Sequence, residues 1–437
     1  MKLLERLALH RPELRAWALY DWANSAMITV VVTAVFPIFF AQYAAVDLER
    51  AAVTARFSGA TAISLAAIAL LAPILGALAD RARCKKALLA VFLALGAGSV
   101  AAMVLIERGE WLFAALLFAL ANVGASGSFV FYDSLLPHVA RGDELDRLST
   151  TGYALGYLGG GLVLAASLAW IERPEWFGLS GEGPLSTRLA FLAVALWWVG
   201  FSLPLFRRVR EPAGVGPPSV SLPALARETM AGARRTLRDL LRLRQAALML
   251  LAFLIYNDGI STIIRMATLY GERIGLGRGD LIAAVVMVQF AGIPFTLLFG
   301  GLAARAGAKR AVLWAVAVYV LIGLLALFMR QAWQFYLLAF LVAVVQGGAQ
   351  ALSRSLFASL IPRQRSAEFF GLFAVLDRFA GVAGPTLFMA AIAWGGSIRA
   401  GILPVIGLFV VGGLLLSRVD VDAGRAAARA AERELEG

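Results

Sequence analysis

The chain has 437 residues, of which 60% are apolar and only 16% charged, with a formal net charge of +12. A soluble globule of that length carries a far more polar surface, so the composition points to a bundle embedded in a bilayer. The cations fall in short loops between apolar runs, with no basic domain interleaved with aromatics, which excludes nucleic acid as a partner. One cysteine, Cys84, and two histidines without ligand spacing, His10 and His138, exclude a disulfide framework and a metal centre; no cofactor is expected.

Residues 1–15 scatter cations and acids through a short apolar pattern and read as an interfacial helix on the cytoplasmic surface, ending before Pro12, not as a signal peptide. Twelve apolar runs of spanning length follow: 16–44, 57–79, 87–106, 111–136, 150–171, 188–206, 246–270, 281–303, 311–329, 333–360, 368–392 and 398–417. The second, fourth, eighth and eleventh contain Pro or clustered Gly, which predicts kinks. Of the 40 Lys and Arg, 28 lie in segments on the side of the N-terminus and nine on the other, so both termini are expected in the cytoplasm.

The longest polar interruption, Arg207 to Arg244, opens with Pro212, Gly214, Gly216, Pro217 and Pro218. It continues as an amphipathic, Arg-rich pattern through Leu222, Leu225, Leu237 and Leu240. The expected layout is therefore a six-helix bundle over 16–207, a cytoplasmic amphipathic linker over 208–244, a second six-helix bundle over 245–418 and a cytoplasmic tail over 419–437. The halves resemble each other: LADRARCKKA at 78–87 matches LAARAGAKRA at 302–311, and SLLP at 134–137 matches SLIP at 359–362. Matched spans run in the same direction, so the repeat is parallel. The fold class is an all-α integral membrane protein with the solute cavity between two bundles near the midplane.

Charges inside spans mark that cavity, because each costs roughly 2.5–3.5 kcal/mol against lipid. Asp21, Asp133, Asp258, Asp377, Arg265, Arg354 and Arg378 must therefore face one another or water. Helical spacing aligns Asp21, Asn24 and Ser25 on span 1, with Thr29 one turn on; Asn122, Ser126 and Asp133 on span 4; Asp258, Ser261, Thr262 and Arg265 on span 7; and Gln346, Gln350 and Arg354 on span 10. Around Asp21, Trp17 reads as part of an interfacial aromatic belt. Tyr153 and Tyr157 on span 5 read equally as cavity lining or packing. The glycines at 159–161, 347–348 and 381–384 read as close helix packing, since they lack the strand and helix-start context of a phosphate cradle.

Gly76 to Lys86 (GALADRARCKK) resembles the signature loop of the major facilitator superfamily. More specifically, YDWANSA at 20–26, YNDG at 256–259, GGAQALSRSLFASLIP at 347–362 and EFFG at 368–371 resemble the vacuole-effluxer-like family, relatives of the fungal autophagy-linked vacuolar amino-acid exporter. The resemblance implies the twelve-helix major facilitator fold and a gating latch built from Gly76, Asp80, Arg81 and Lys85. Two departures stand out. Ala304 replaces the acid in the second loop, and Asp377 is followed by Arg378 where a lysine is expected, which leaves any proton coupling to an aspartate.

The expected function is a secondary transporter, not an enzyme, moving a small polar or zwitterionic solute by alternating access, with amino-acid export favoured. The expected binding or coupling residues are Asp21, Asn24, Tyr20, Asp258, Asn257, Arg265, Asp377, Arg378, Arg354, Gln350 and Asp133. Asp258 and Asp21 are expected to face an amine, and Arg265 or Arg378 a carboxylate. The alternatives are an amphiphile or lysolipid carrier and a ligand-binding membrane sensor. The expected partners are the solute, the lipid bilayer and, where transport is coupled, protons. A monomer suffices to complete the pathway. Arg outnumbers Lys 36 to 4, which fits a bacterial inner membrane.

Overall fold

The computed structural model describes residues 2–178, 184–212, 236–273, 277–397 and 399–436, and among them it is all helix, turn and bend, without strand. Twelve long helices follow in order: α1 (Pro12–Ala44), α2 (Arg50–Ala82), α3 (Lys85–Ala102), α4 (Trp111–Val139), α5 (Glu144–Glu172), α6 (Leu185–Arg208), α7 (Arg244–Arg273), α8 (Arg278–Ala306), α9 (Ala308–Leu327), α10 (Ala332–Ser359), α11 (Ser366–Gly395) and α12 (Ile402–Ser417). Among the described residues, ten are long and apolar enough on their own to cross a bilayer. α11 has 30 residues, with an apolar run over Ala383–Gly395, and α12 has 16 and bends by 65° into a terminal helix.

The predicted N-terminal helix is only Lys2–Arg6, and Pro12 starts α1. Proline suits a first turn, where its missing N–H has no intrahelical acceptor to lose. The segment between is pinned to the ends of α4 and α5: Thr151 Oγ1 donates to Leu7 O at 2.8 Å, and Arg11 Nη2 donates to Val139 O at 3.0 Å and to Glu144 at 2.6 Å. Of the leucines expected on the linker face, Leu222 and Leu225 lie outside the described residues. Leu240 is buried while Leu237 is exposed.

α1 is not a regular helix. It is π-helical over Met27–Val35 and again over Phe40–Ala44, on either side of a four-residue α segment that starts at Phe36. The cause is local: Pro37 cannot donate to the ladder, β-branched residues crowd the stretch from Ile28 to Thr33, and Thr33 Oγ1 donates to the carbonyl of Ile28 five residues back, at 2.9 Å. Such widened turns are frequent at functional sites, and this one lies along the cavity between the halves.

Within the first bundle, Phe36 stacks on Phe118 at 4.8 Å; within the second, Tyr319 stacks on Phe409 at 4.9 Å. The glycines pack closely against neighbouring helices, some against backbone and some against side chains. A Cβ on Gly159 would sit 2.5 Å from Trp22 O, and one on Gly347 would sit 2.0 Å from Thr296 Oγ1.

The halves meet along two chief seams, α2 with α11 and α5 with α8. The repeat is visible in one paired device. Lys86 Nζ donates to Phe206 O and Val209 O at 2.8 and 2.7 Å, capping the end of α6; Lys309 Nζ donates to Ser417 O and Val419 O at 2.8 and 2.7 Å, capping the end of α12. Two residues, Arg83 and Cys84, separate α2 from α3, but only Gly307 separates α8 from α9. The structural counterpart of Lys309 is therefore Lys86, one residue on from the match that sequence alignment of the two loops suggests. Lys85 corresponds to Ala308.

Candidate functional site

A cavity of about 1170 Å³ lies between the halves. It opens on the face away from the termini, where exposed Gln42 and Glu172 stand at its mouth, and closes toward the termini. Its floor is a single residue of the second half held by the first. Arg354 of α10 is buried; its Nη2 lies 3.1 Å from Asp21 Oδ2 of α1 and its Nη1 lies 3.0 Å from Asp133 Oδ1 of α4. Nε donates to Ser149 Oγ at 2.9 Å and Nη2 to Ser149 O at 3.1 Å, both on α5. The guanidinium also sits over three aromatic rings, Trp17 at 4.8 Å, Tyr153 at 4.6 Å and Tyr132 at 5.6 Å.

Trp17 therefore corrects the belt reading: it is fully buried, donates Nε1–H to Tyr132 O at 3.0 Å and forms the bed of the arginine. It lies one turn before Asp21, so the same helical spacing that aligned Asp21 with Asn24 already placed it on that stripe. Ser149, which the sequence reading missed, stands one turn before Tyr153 on α5. A polar residue one turn from a candidate lining tyrosine was the available signal.

The other expected residues divide. Asn24 and Gln350 line the cavity, and buried Asn24 Nδ2 finds no acceptor among the described residues. Tyr20 is fully buried against Tyr132, with ring centroids 4.7 Å apart, and does not reach the cavity. On α7 only Thr262 of its stripe faces the cavity. Asp258 is sealed behind it, beside the notch that Gly384 leaves on α11, and Asn257 lines a separate space of about 170 Å³ behind the floor. Arg265 is exposed and donates to Gly381 O at 2.8 Å. The side chains of Asp377 and Arg378 lie outside the described residues. Both tyrosines of α5 line the cavity.

Below the floor, the termini face is shut by a second cluster. Buried Asp80 pairs with Lys85 Nζ at 2.8 Å and accepts from the first backbone amides of α11, Ala367 N at 3.2 Å and Glu368 N at 2.8 Å. A carboxylate there is favoured by the helix N-terminus. Lys85 also donates to Ser366 Oγ at 2.8 Å and lies 3.0 Å from His138 Nε2. Gly76 permits the approach: a Cβ there would stand 2.3 Å from Ala367 O. Arg81 is half-buried nearby. The second loop has neither the acid nor the lysine, with Ala304 and Ala308 in their places.

A family model described as vacuole effluxer Atg22 like matches residues 51–429. The MFS-type transporter YxiO of Bacillus subtilis (strain 168) is 34% identical over 405 residues, covering 92% of this chain and 94% of its own. Autophagy-related protein 22 of Yarrowia lipolytica (strain CLIB 122 / E 150) is 28% identical over 308 residues, covering 64% of this chain and 51% of its own, so the match spans about half of that fungal relative. Among solved structures, the human organic anion transporter MFSD10 superposes with a TM-score of 0.69 at 17% identity, covering 93% of this chain and 99% of its own. The transporter FucP in its outward conformation gives 0.69 at 13%, covering 94% and 100%. Two bundles joined along paired seams, a cavity between them and a match over most of the chain agree: this is a multi-pass membrane transporter, and it belongs to the vacuole effluxer Atg22-like family of the major facilitator superfamily.

Proposed function

We propose that the chain moves a small zwitterionic solute, with an amino acid as the leading case, by alternating access, and that the floor around Arg354 is where the solute acts. The observation that carries this reading is the charge balance of the floor: two carboxylates, Asp21 and Asp133, surround one guanidinium. The excess negative charge suits an ammonium group, and the unmatched Nδ2 of Asn24 suits a carboxylate. Arg354 already donates to four acceptors and is not the carboxylate site.

Binding and movement are linked by competition. An ammonium that reaches Asp21 takes over one carboxylate of Arg354, weakening the tie that holds α10 to α1 and α4. Such a ligand favours the state in which the tie is broken by its differential affinity alone. With both termini in the cytoplasm, as the Lys and Arg distribution supports, the described state faces outward. Export then requires loading after the floor parts. A proton on Asp21 or Asp133 would relieve the same tie, which makes these two the candidates for coupling.

The test is flux of a mixed radiolabelled amino-acid pool in proteoliposomes, with and without a pH gradient. Movement is expected in the wild type and is expected to be lost in Asp21→Asn and Asp133→Asn. Arg265→Gln is expected to retain it, because that side chain points away from the cavity. Undiminished flux in both aspartate variants would overturn the assignment.

A further inference from the structure

The cavity is not uniform. Its first-half wall is polar over the floor-side turns of α1, with Asn24, Ser25, Thr29 and Thr33, and apolar farther from the floor, with Pro37, Ile38, Leu164 and Leu168. In the second half it runs on into a chamber reaching Ile322 and Ala326 of α9 and Ile402 and Val405 of α12, with Leu281 of α8 and Phe388 of α11 also in its lining. These six residues are all apolar.

α10 runs past both regions and grades from one to the other. The residues that it contributes to the cavity along one stripe are Phe335, Leu338, Val342, Gln346, Gln350 and Arg354, at spacings of three or four. Three apolar positions give way to two amides and then to the charge. With a rise of about 1.5 Å per residue, Gln346 stands about 12 Å from the floor arginine and Leu338 about 24 Å. An amino acid bound at the floor ends within the amide belt formed by Gln346, Gln350 and, from α8, Gln289. The chamber lies beyond its reach.

From this gradient we propose that the transporter has a second subsite, the α9–α12 chamber, which takes the apolar chain of a single-chain amphiphile whose amine head sits at Asp21 and Asp133. The proposal rests on the reading of the floor as an amine site and extends the accepted class from amino acids to long-chain amines. The head adds a second cation beside the two carboxylates that hold Arg354, the polar middle of the molecule meets the glutamines, and burial of the chain supplies affinity that small solutes do not gain. A bare zwitterion leaves the chamber to water, which an apolar lining binds poorly.

The test uses the full chain in detergent and a series of primary alkylamines from butylamine to octadecylamine, the longest of which spans the distance from the floor to Leu338, with the signal from empty micelles subtracted. Affinity is expected to stay level while the chain crosses the amide belt and then to tighten about fourfold for each added methylene. Leu338→Asn, which makes the chamber polar, and Ala339→Phe, which fills it from the adjacent lining position of α10, are each expected to flatten that rise and leave butylamine binding unchanged. Asp21→Asn is expected to weaken every member of the series. A wild-type series with no rise overturns the chamber, as does a rise that survives in both chamber variants, because partition into the micelle alone then accounts for it. Loss of chain-length dependence with butylamine binding retained supports the chamber. Binding of every amine unaffected by Asp21→Asn overturns the floor instead, so the two failures are distinguishable.

Discussion

Arg354 illustrates why a buried charge is not a simple gain in stability. Its desolvation is offset by two carboxylates, a serine and three aromatic faces, and removing it strands both acids in a site of low polarity. Arg354→Gln is therefore expected to destabilise the protein by about 3–5 kcal/mol, read as a fall in unfolding temperature in detergent. Arg354→Lys keeps the charge but not the planar fork that reaches Asp21 and Asp133 together, and should fall between. Adding Asp21→Asn to Arg354→Gln should restore part of the loss, since the two act on one interaction. Strict additivity of the two changes would show that the contact is not a coupled unit.

Helix pairs decide whether the closed face stays closed. Gly76 and Gly371 let α2 and α11 touch backbone to backbone, with a Cβ on Gly371 falling 2.5 Å from Ala72 O. Gly76→Val cannot keep that contact and should shift the population toward the state open on the termini face. Cys84 reports on this because it is the sole cysteine and sits in the turn after α2. Burial first, then the nearby carboxylates of Glu211 and Asp80, hold its thiol above the usual pKa, so little thiolate is present at neutral pH. Glu211 and Asp80 belong to the same half as Cys84 and stay beside it, so opening the seam acts on the thiol through exposure alone; maleimide labelling of Cys84 should accelerate in Gly76→Val, and an unchanged rate would separate the seam from the gate.

How much of this was legible in the sequence differs by element. The long apolar runs, the duplicated loop and the polar stripes of α1 and α10 were readable, because helical period and lipid cost leave little choice where a charge is tolerated. The stripe on α7 was not. Asp258 and Thr262 share a face by spacing, yet the cavity reaches Thr262 while Asp258 fits the Gly384 notch on α11. Which neighbour a polar face meets depends on helix rotation, and spacing within one helix does not carry that. The π-helical course of α1 was equally out of reach, although its proline and β-branched run were in view.

At the scale of the whole molecule, each half is tied within itself by a matching device, α3 to the end of α6 in the first and α9 to the end of α12 in the second. Each of Lys86 and Lys309 makes two charge-assisted bonds to carbonyls at a helix end. Lys86→Met and Lys309→Met are each expected to lower stability by about 1.5–3 kcal/mol, measured in thermal unfolding, with similar losses in the two halves. A large loss in one and none in the other would show that the repeat is not equivalent in its energetics.

The extra residue between α2 and α3 has a consequence for the order of events. It frees Lys85 to meet Asp80 within the first half, and that buried pair grips the start of α11 through Ser366 Oγ, Ala367 N and Glu368 N, whereas the α5–α8 seam shows no such charged contact among the described residues and closes on contacts such as Gly300 against Thr150. A door with one bolted edge swings on that edge. The seam between α5 and α8 is therefore expected to yield first, and the passage toward the termini to begin as a slit on that flank once Ser149 and Asp146 release α10.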